Sequence, residues 1–193
     1  MRIIGGKYKG LKLLPPDGNI IRPTSDRLKE SLFSIISSNK YKIKIDSSNV
    51  LDICSGTGSL GIEAFSRGAH SVIFIDKDYR SINLINKNIA RLKIEDQLKD
   101  NVEIIRDEAT KALKKINKIF QIVLIDPPYN TDIIERCLFE LKELNLINQD
   151  SYIFLESSKA ENFKYDGYQM LDIKVYGNSK LTILKLFNSS SVK

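Results

Sequence analysis

The stretch VLDICSGTGSLG, residues 50–61, decides the fold. It begins as an apolar run typical of a buried strand, passes into a glycine-rich turn and continues as an apolar segment typical of a helix. Gly56, Gly58 and Gly61 complete the pattern G-x-G-x-x-G, and Asp76 follows 20 residues after Gly56. A strand, such a turn and a helix in this order predict a site for a nucleotide-type cofactor. The pattern alone is compatible with NAD.

Asp52 favours a different cofactor. Its carboxylate lies four residues before Gly56, where it would repel the pyrophosphate of a dinucleotide. S-adenosylmethionine has no phosphate, and a carboxylate attracts both its ammonium and its sulfonium group. We therefore predict that the cofactor is S-adenosylmethionine. The residues predicted to bind it are Asp52, Ser55, Gly56, Thr57, Gly58, Asp76, Lys77, Asp107 and Glu108.

Three of these acids have two possible roles. Asp76 is placed to accept hydrogen bonds from both ribose hydroxyls, or it caps the next helix, a role that Asp78 could fill instead. Asp107 and Glu108 follow a predicted strand. They either contact the adenine of the cofactor or cap a helix, and the sequence leaves both interpretations open.

Asp126-Pro127-Pro128-Tyr129 follows an apolar strand and predicts the catalytic loop. An exocyclic amine on a nucleic-acid base is a poor nucleophile because the ring delocalises its lone pair. The Asp126 carboxylate and the Pro127 carbonyl could accept its two hydrogens, which is positional and electrostatic catalysis. Pro128 helps to make the turn rigid, and Tyr129 would stack on the target base. The alternative is an ordinary strand-end turn with a core tyrosine.

From residue 49 onward, β-rich runs alternate with amphipathic stretches, which predicts parallel strands joined by helices in an α/β fold. The predicted strands are NVLDIC (49–54), SVIFID (71–76), VEII (102–105), FQIVLID (120–126) and SYIFLE (151–156), and the predicted helices cover 79–92 and 133–144. YQMLDIKVY and KLTILKLF flank a Gly-Asn turn. The sheet is therefore expected to finish with an antiparallel hairpin.

Residues 1–44 do not follow this alternation, and they are strongly basic. They hold ten Lys and Arg against three acids, whereas the rest of the chain is nearly neutral. RIIGGKYKGLKLL predicts two short strands around glycines, residues 15–18 predict a turn, and residues 23–26 offer caps for a helix with an apolar stripe. We predict a basic arm, with a β-hairpin and a helix, over 1–44 and a donor-binding domain over 45–193. The predicted phosphate contacts in the arm are Arg2, Lys7, Lys9 and Lys12, although such charge can also serve solubility alone.

Composition argues against several other classes of protein. A chain of 193 residues with 42% hydrophobic content predicts one main domain. Cys54, Cys137 and the single His70 stand far apart in sequence, which argues against a metal site and a histidine-based triad. No run reaches the roughly 18 apolar residues of a membrane span, and the first ten residues lack the apolar core of a signal peptide. We expect a cytoplasmic protein and a monomer.

Five blocks of the chain resemble the bacterial 16S ribosomal RNA guanine-N2 methyltransferases of the RsmD type. They are MRIIGGKYKG (1–10), RPTSDRLKESLFSII (22–36), VLDICSGTGSLGIEAFSRGA (50–69), VIFIDKD (72–78) and LIDPPY (124–129). The resemblance implies a Rossmann-like methyltransferase fold with six parallel strands and one antiparallel strand, with S-adenosylmethionine as donor. It also implies methylation of the N2 amine of the guanine at position 966 of 16S ribosomal RNA. The partner would be the small ribosomal subunit or its assembly intermediate.

The resemblance also assigns residues, with two departures from the family pattern. A signature block, expected to border the active site and hold RNA or the donor, matches Arg22, Thr24, Ser25, Asp26 and Arg27. Residues 54–58 read Cys-Ser-Gly-Thr-Gly where the family often has Phe-Ala-Gly-Ser-Gly, a conservative change in a turn lined by backbone. Residues 107–109 read Asp-Glu-Ala where the family often has Gly-Asp-Ala, so either acid could contact adenine.

Three other functions rank below ribosomal RNA methylation. Methylation of adenine in DNA, or of another RNA base, would use the same D-P-P-Y chemistry, but a separate target-recognition domain does not fit in 193 residues. An NAD oxidoreductase would need an acid-base residue such as histidine in a substrate domain, and His70 precedes the second predicted strand. A non-catalytic RNA-binding protein would have no reason to hold Asp126 and Pro127 beside a donor site.

Overall fold

The structure is a computed structural model that describes residues 1–16, 26–38, 40–94 and 100–187. Its strands lie where the alternation predicts them. They are β1 (Asn49–Ile53), β2 (Ser71–Asp76), β3 (Val102–Arg106), β4 (Ile122–Ile125), β5 (Tyr152–Ser158), β6 (Tyr168–Tyr176) and β7 (Ser179–Leu186). The helices are α1 (Asp26–Ile36), α2 (Ser59–Ser66), α3 (Tyr79–Arg91), α4 (Ala109–Leu113) and α5 (Ile133–Glu143).

All seven strands form one sheet in the order β3-β2-β1-β4-β5-β7-β6. β1 to β5 pair in parallel, whereas β7 pairs antiparallel with both β5 and β6. β6 therefore runs in the direction of the first five strands, which confirms the expected six parallel strands, one antiparallel strand and terminal hairpin. The strand order reverses between β1 and β4, and α/β sheets bind ligands at the carboxyl ends of the strands at such a reversal.

Two apolar clusters cover the two faces of the sheet. One contains Val50 and Phe74 of the sheet with residues of α1, α2 and α3. The other contains Leu51 and Ile73 with residues of α4 and α5. Successive strand residues point to opposite faces, so β1 and β2 contribute to both clusters. Helices on both faces are thus confirmed, and the centre of the sheet is buried on both sides.

The two predicted strands of the N-terminal arm meet at an antiparallel bridge between Arg2 and Lys12. Backbone hydrogen bonds join them on either side of this bridge: the Ile3 amide donates to the Leu11 carbonyl (3.0 Å) and the Leu13 amide to the Met1 carbonyl (3.2 Å). The arm is also bonded to the domain, since the Ile4 amide donates to the Glu63 carboxylate (2.8 Å) and the Lys7 amide to the carbonyl of Ser66. Ile3 and Leu13 are buried in the cluster that also contains α1, and the division at residue 44 stays a prediction.

The helix predicted after the arm is α1, and its apolar stripe packs inward as expected. Leu28, Leu32, Phe33 and Ile36 are all buried. Of the residues predicted to cap it, 23–25 lie outside the described residues, as does part of the predicted turn over 15–18, and Asp26 begins the helix. None of the helices that the structure describes has the length and apolar character needed to cross a membrane.

Candidate active site

A cleft of about 530 Å³ opens where the parallel strands end. Its walls come from the segments after β1, β2, β3 and β4 and from the end of β5. The predicted site residues that line it are Ser55, Gly56, Thr57, Asp76, Lys77, Asp107, Glu108, Asp126, Pro127, Pro128 and Tyr129. A volume of this size is typical of small-molecule sites. The cleft brings the glycine-rich turn after β1, called the glycine loop below, and the predicted catalytic loop into one cavity.

The glycine loop after β1 has a backbone that most residues would strain to adopt. Gly56 and Gly58 have φ angles of 53° and 75°, in the left-handed region that glycine enters without steric cost. Ser55 ties the loop to β2, since its hydroxyl donates to the Asp52 carbonyl at 2.6 Å and accepts from the Ile75 amide at 3.1 Å. The loop is therefore held in shape before any ligand binds.

Asp76 closes the loop from the end of β2. Its two carboxylate oxygens accept from the backbone amides of Gly56 (2.8 Å) and Asp78 (2.9 Å). A carboxylate has about four acceptor sites, so capacity remains for ribose hydroxyls. The helix-capping role belongs to Asp78, whose side chain accepts from the Arg80 amide at the start of α3.

Asp52 lies under the loop and is not among the residues that line the cleft. Its side chain is 1% exposed and accepts from the Gly61 amide at 2.9 Å. A Cβ atom at Gly61 would come within 2.9 Å of that carboxylate and 2.3 Å of the Phe74 ring, so only glycine fits. Burial, with smaller contributions from nearby Asp126 and Asp76, raises the pKa of Asp52 to about 8 against the lowering effect of the Gly61 amide. Direct contact of Asp52 with the donor stays a prediction.

Asp107 and Glu108 enter the cleft from the end of β3 and differ in their partners. Asp107 accepts from Lys115 (2.6 Å) and from the Glu108 amide (2.8 Å), and these contacts hold the pKa of Asp107 below its usual value. Glu108 occupies the N-cap position of α4 without capping it through its side chain, and it lies 3.1 Å from Lys111. The side chain of Glu108 is 54% exposed against 21% for Asp107, so Glu108 is the more accessible acid.

The predicted catalytic loop leaves β4 and is anchored at several points. The Asp126 amide donates to the carbonyl of Ile53 at the end of β1 (3.3 Å). The Tyr129 hydroxyl lies 2.7 Å from the Ser179 hydroxyl and 3.4 Å from Glu156, so the ring is held at its outer end. Glu161 accepts from the amides of Asn130 (2.5 Å) and Ser158 (2.7 Å) and so clamps the loop to the end of β5.

The predicted RNA-contacting residues fall into two groups. Arg2, Lys7, Lys9 and Lys12 are exposed on the arm, and Arg27 is exposed on α1. Arg22, Thr24 and Ser25 lie outside the described residues, as does the side chain of Asp26. The arm contacts one cleft residue, Thr57: its hydroxyl lies 3.5 Å from the Met1 sulfur, and the Asn88 amide joins Leu14 to the Thr57 carbonyl.

Comparison with known proteins gives the family. The model of the family described as "Conserved hypothetical protein 95" matches residues 1–185. The chain belongs to this family. Proteins named ribosomal RNA small subunit methyltransferase D are 35% identical in Buchnera aphidicola (83% of this chain, 79% of the relative) and 32% identical in Escherichia coli (84% and 76%). The resemblance to RsmD-type methyltransferases is thereby confirmed.

Solved structures agree with this assignment. The yhhF protein of Escherichia coli superposes with a TM-score of 0.81 at 27% identity, over 96% of this chain and 97% of that one. The HI0767 protein of Haemophilus influenzae superposes with a TM-score of 0.77 at 29% identity, over 97% and 98%. The Rossmann-like methyltransferase fold is therefore confirmed for this member of the RsmD family.

Several cleft residues of this family member escaped the sequence prediction. They are Ser81, Thr110, Thr131, Asp132, Arg136 and Glu156. Most follow the carboxyl ends of strands, where position alone does not show which side chains turn inward. Glu156 carried the one usable signal, since it is the one charged residue in the predicted strand SYIFLE. Among the described residues, no group of three or more His, Cys, Asp and Glu side chains is arranged to hold a metal ion.

Proposed function

We propose that this protein transfers a methyl group from S-adenosylmethionine to the N2 amine of a guanine in 16S ribosomal RNA of the small subunit. One observation carries the proposal: the glycine loop with Asp76 and the loop from Asp126 to Tyr129 line the same cleft. The two loops follow β1 and β4, the strands between which the sheet order reverses. A donor and an acceptor amine would meet there.

The donor site is supported by the chemistry of the residues present. Asp76 has acceptor capacity for ribose hydroxyls, and Glu108 offers an accessible carboxylate for the adenine amine. Gly56 and Gly58 have positive φ angles that favour glycine, and without side chains they leave the backbone of the loop open to the donor. S-adenosylmethionine supplies an electrophilic methyl group when bound. The positively charged sulfonium and ammonium groups of the donor would lower the pKa of Asp52 below its value of about 8 in this structure, and so favour the ionised carboxylate.

The acceptor chemistry would be performed by the catalytic loop. Asp126 would accept a hydrogen bond from the guanine amine and so concentrate its lone pair on nitrogen. The anchored Tyr129 ring would receive the base by stacking, after the base has left its helix. Pro127 and Pro128 restrict the turn. This catalysis is positional and electrostatic, since the chain aligns the amine with the donor.

Ribosomal RNA is proposed as the substrate from the relatives and from the arm. The Buchnera and Escherichia coli relatives are named as ribosomal RNA small subunit methyltransferases. The exposed basic residues of the arm offer contacts to phosphate. Met1 of the arm contacts Thr57 of the glycine loop, so RNA bound to the arm would lie near the cleft.

The test is transfer of tritium from labelled S-adenosylmethionine to 30S particles, or bare 16S RNA, that lack the modification. Label in a single guanine, located by nuclease mapping and identified as N2-methylguanosine, is the expected result. Asp126→Asn should bind the donor and transfer no label above background. Donor binding without transfer to either substrate would overturn the RNA assignment, and label on adenine of DNA would replace it.

A further inference from the structure

We propose that Glu156 selects guanine by accepting a hydrogen bond from the N1–H of the target base. This inference rests on the proposed function and adds the group that discriminates between bases. Glu156 lies in β5 opposite Leu181 of β7. Its residue is 8% exposed, and the small exposed part lines the cleft together with Asp126 and Tyr129. A carboxylate thus lies in the part of the cavity where we propose that the target base binds.

The chemistry of the base edges explains why a carboxylate at this place would select guanine. Guanine presents N1–H and the N2 amine side by side, so two neighbouring acceptors satisfy it. Adenine and cytosine each present an unprotonated ring nitrogen next to their amine, and an ionised carboxylate has no hydrogen to donate to it. With Asp126 facing the amine and Glu156 facing the ring nitrogen, only guanine would satisfy both acids.

The position of Glu156 relative to the base is set through Tyr129. The tyrosine hydroxyl lies 3.4 Å from Glu156 Oε1 and 2.7 Å from Ser179 Oγ. A base stacked on the Tyr129 ring would therefore lie close to the Glu156 carboxylate, because the hydroxyl of that ring contacts it. Ser179 begins β7, and Glu156 is near the end of β5, so the antiparallel pair holds these two groups side by side, and the Tyr129 hydroxyl contacts both.

Burial makes the selection strong. A base that lacked N1–H would leave the Glu156 carboxylate facing a second acceptor in a site with little water, which costs more than the loss of one hydrogen bond. Sites built to hydrogen-bond a substrate group reject analogues without it by about 10⁴-fold in favourable cases. Glu156 would accordingly determine which base is methylated, whereas Asp126 would activate the reacting amine.

The experiment compares two bases that share the reacting amine. 2-Aminopurine has the same 2-amino group as guanine, but its N1 is an acceptor. Reconstituted 30S particles would carry either base at the methylated position, and kcat/KM would be measured on both. We expect wild type to prefer guanine by about 100-fold or more, as the loss of a charge-assisted hydrogen bond requires. For Glu156→Gln the preference should fall below about tenfold, because an amide can donate to N1 of 2-aminopurine.

Two further variants make the outcome decisive. Glu156→Asp keeps an acceptor-only side chain and should retain the preference at a lower rate, whereas Glu143→Gln on the exposed end of α5 should leave both rates unchanged. Equal losses on both bases in Glu156→Gln, with donor affinity intact, would overturn the selection role. If wild type failed to methylate even guanine, the proposed function itself would fail, and the two failures are therefore distinguishable.

Discussion

Asp126 and Asp52 lie at the ends of neighbouring strands, yet they have different surroundings. Asp126 lines the cleft, whereas Asp52 is buried beneath the glycine loop. We expect Asp126→Asn to lower kcat by about 100-fold or more with donor affinity nearly unchanged, since it would remove the interaction that we propose with the reacting amine. Asp52→Asn should instead weaken donor binding by about tenfold. Calorimetric titration and single-turnover rates would test this, and equal losses of donor affinity in both variants would contradict the assignment.

The buried Asp52 also predicts how stability depends on pH. Its pKa is about 8 in the folded protein and near 4 in the unfolded chain, so the folded state binds more protons between these values. Stability from this group therefore falls as pH rises from about 4 to 8 and levels off above 8. Asp52→Asn keeps an acceptor for the Gly61 amide and should lose this dependence. Thermal melts at pH 5 and pH 8, without donor, should show a smaller drop in Tm for the variant than for wild type, and equal drops would refute the prediction.

At the scale of elements, the predicted catalytic loop is held in place by a contact from outside it. Glu161 accepts from Asn130, just after the loop, and from Ser158 at the end of β5. Glu161→Ala should lower kcat by about tenfold with donor affinity unchanged, because a small displacement of positioned groups is costly, and Glu161→Gln should recover part of the rate. The same measurements on Glu143→Ala, an exposed acid on α5, provide the control. A loss of donor affinity equal to the loss of kcat would show general misfolding instead.

The elements also show where sequence prediction succeeds and where it ends. Strong periodicity and turn residues identified β2 and β6 to the residue, since SVIFID and YQMLDIKVY are bounded by clear signals. The glycine loop and the D-P-P-Y loop were placed correctly after β1 and β4 because turn residues are a local signal, whereas their chemical roles stay predictions. The contacts of the arm with Glu63 and Ser66, about 60 residues away, were not predicted, because nothing local in the sequence indicates them. Glu156 and Glu161 were missed for the same reason: their partners come from distant parts of the chain.

At the scale of the whole molecule, one buried amide joins the arm to the domain. Asn88 of α3 is fully buried and bonds the Leu14 amide at 2.7 Å and the Thr57 carbonyl at 3.1 Å. Asn88→Ala leaves both backbone groups without this partner. We expect it to lower the free energy of unfolding by about 1–3 kcal/mol and to weaken donor binding through Thr57. Urea denaturation and calorimetric titration would test the two effects. A loss of stability with unchanged donor affinity would mean that the contact with the arm does not support donor binding by the glycine loop.

The charge distribution predicts how the whole molecule meets RNA. The positive excess of the chain is concentrated in its first 44 residues, and Arg2, Lys7, Lys9 and Lys12 are exposed. If these residues neutralise phosphates, replacing all four with alanine should reduce the salt dependence of RNA affinity by about three to four in the slope of log K against log salt. A control that removes the same charge from Lys87, Lys142, Lys164 and Lys174, all exposed outside the arm, should change the slope by about one or less. Affinities for 16S RNA measured between about 50 and about 200 mM salt would test this difference in slope. Equal slopes for both quadruple variants would mean that the basic arm serves solubility and that RNA is held elsewhere.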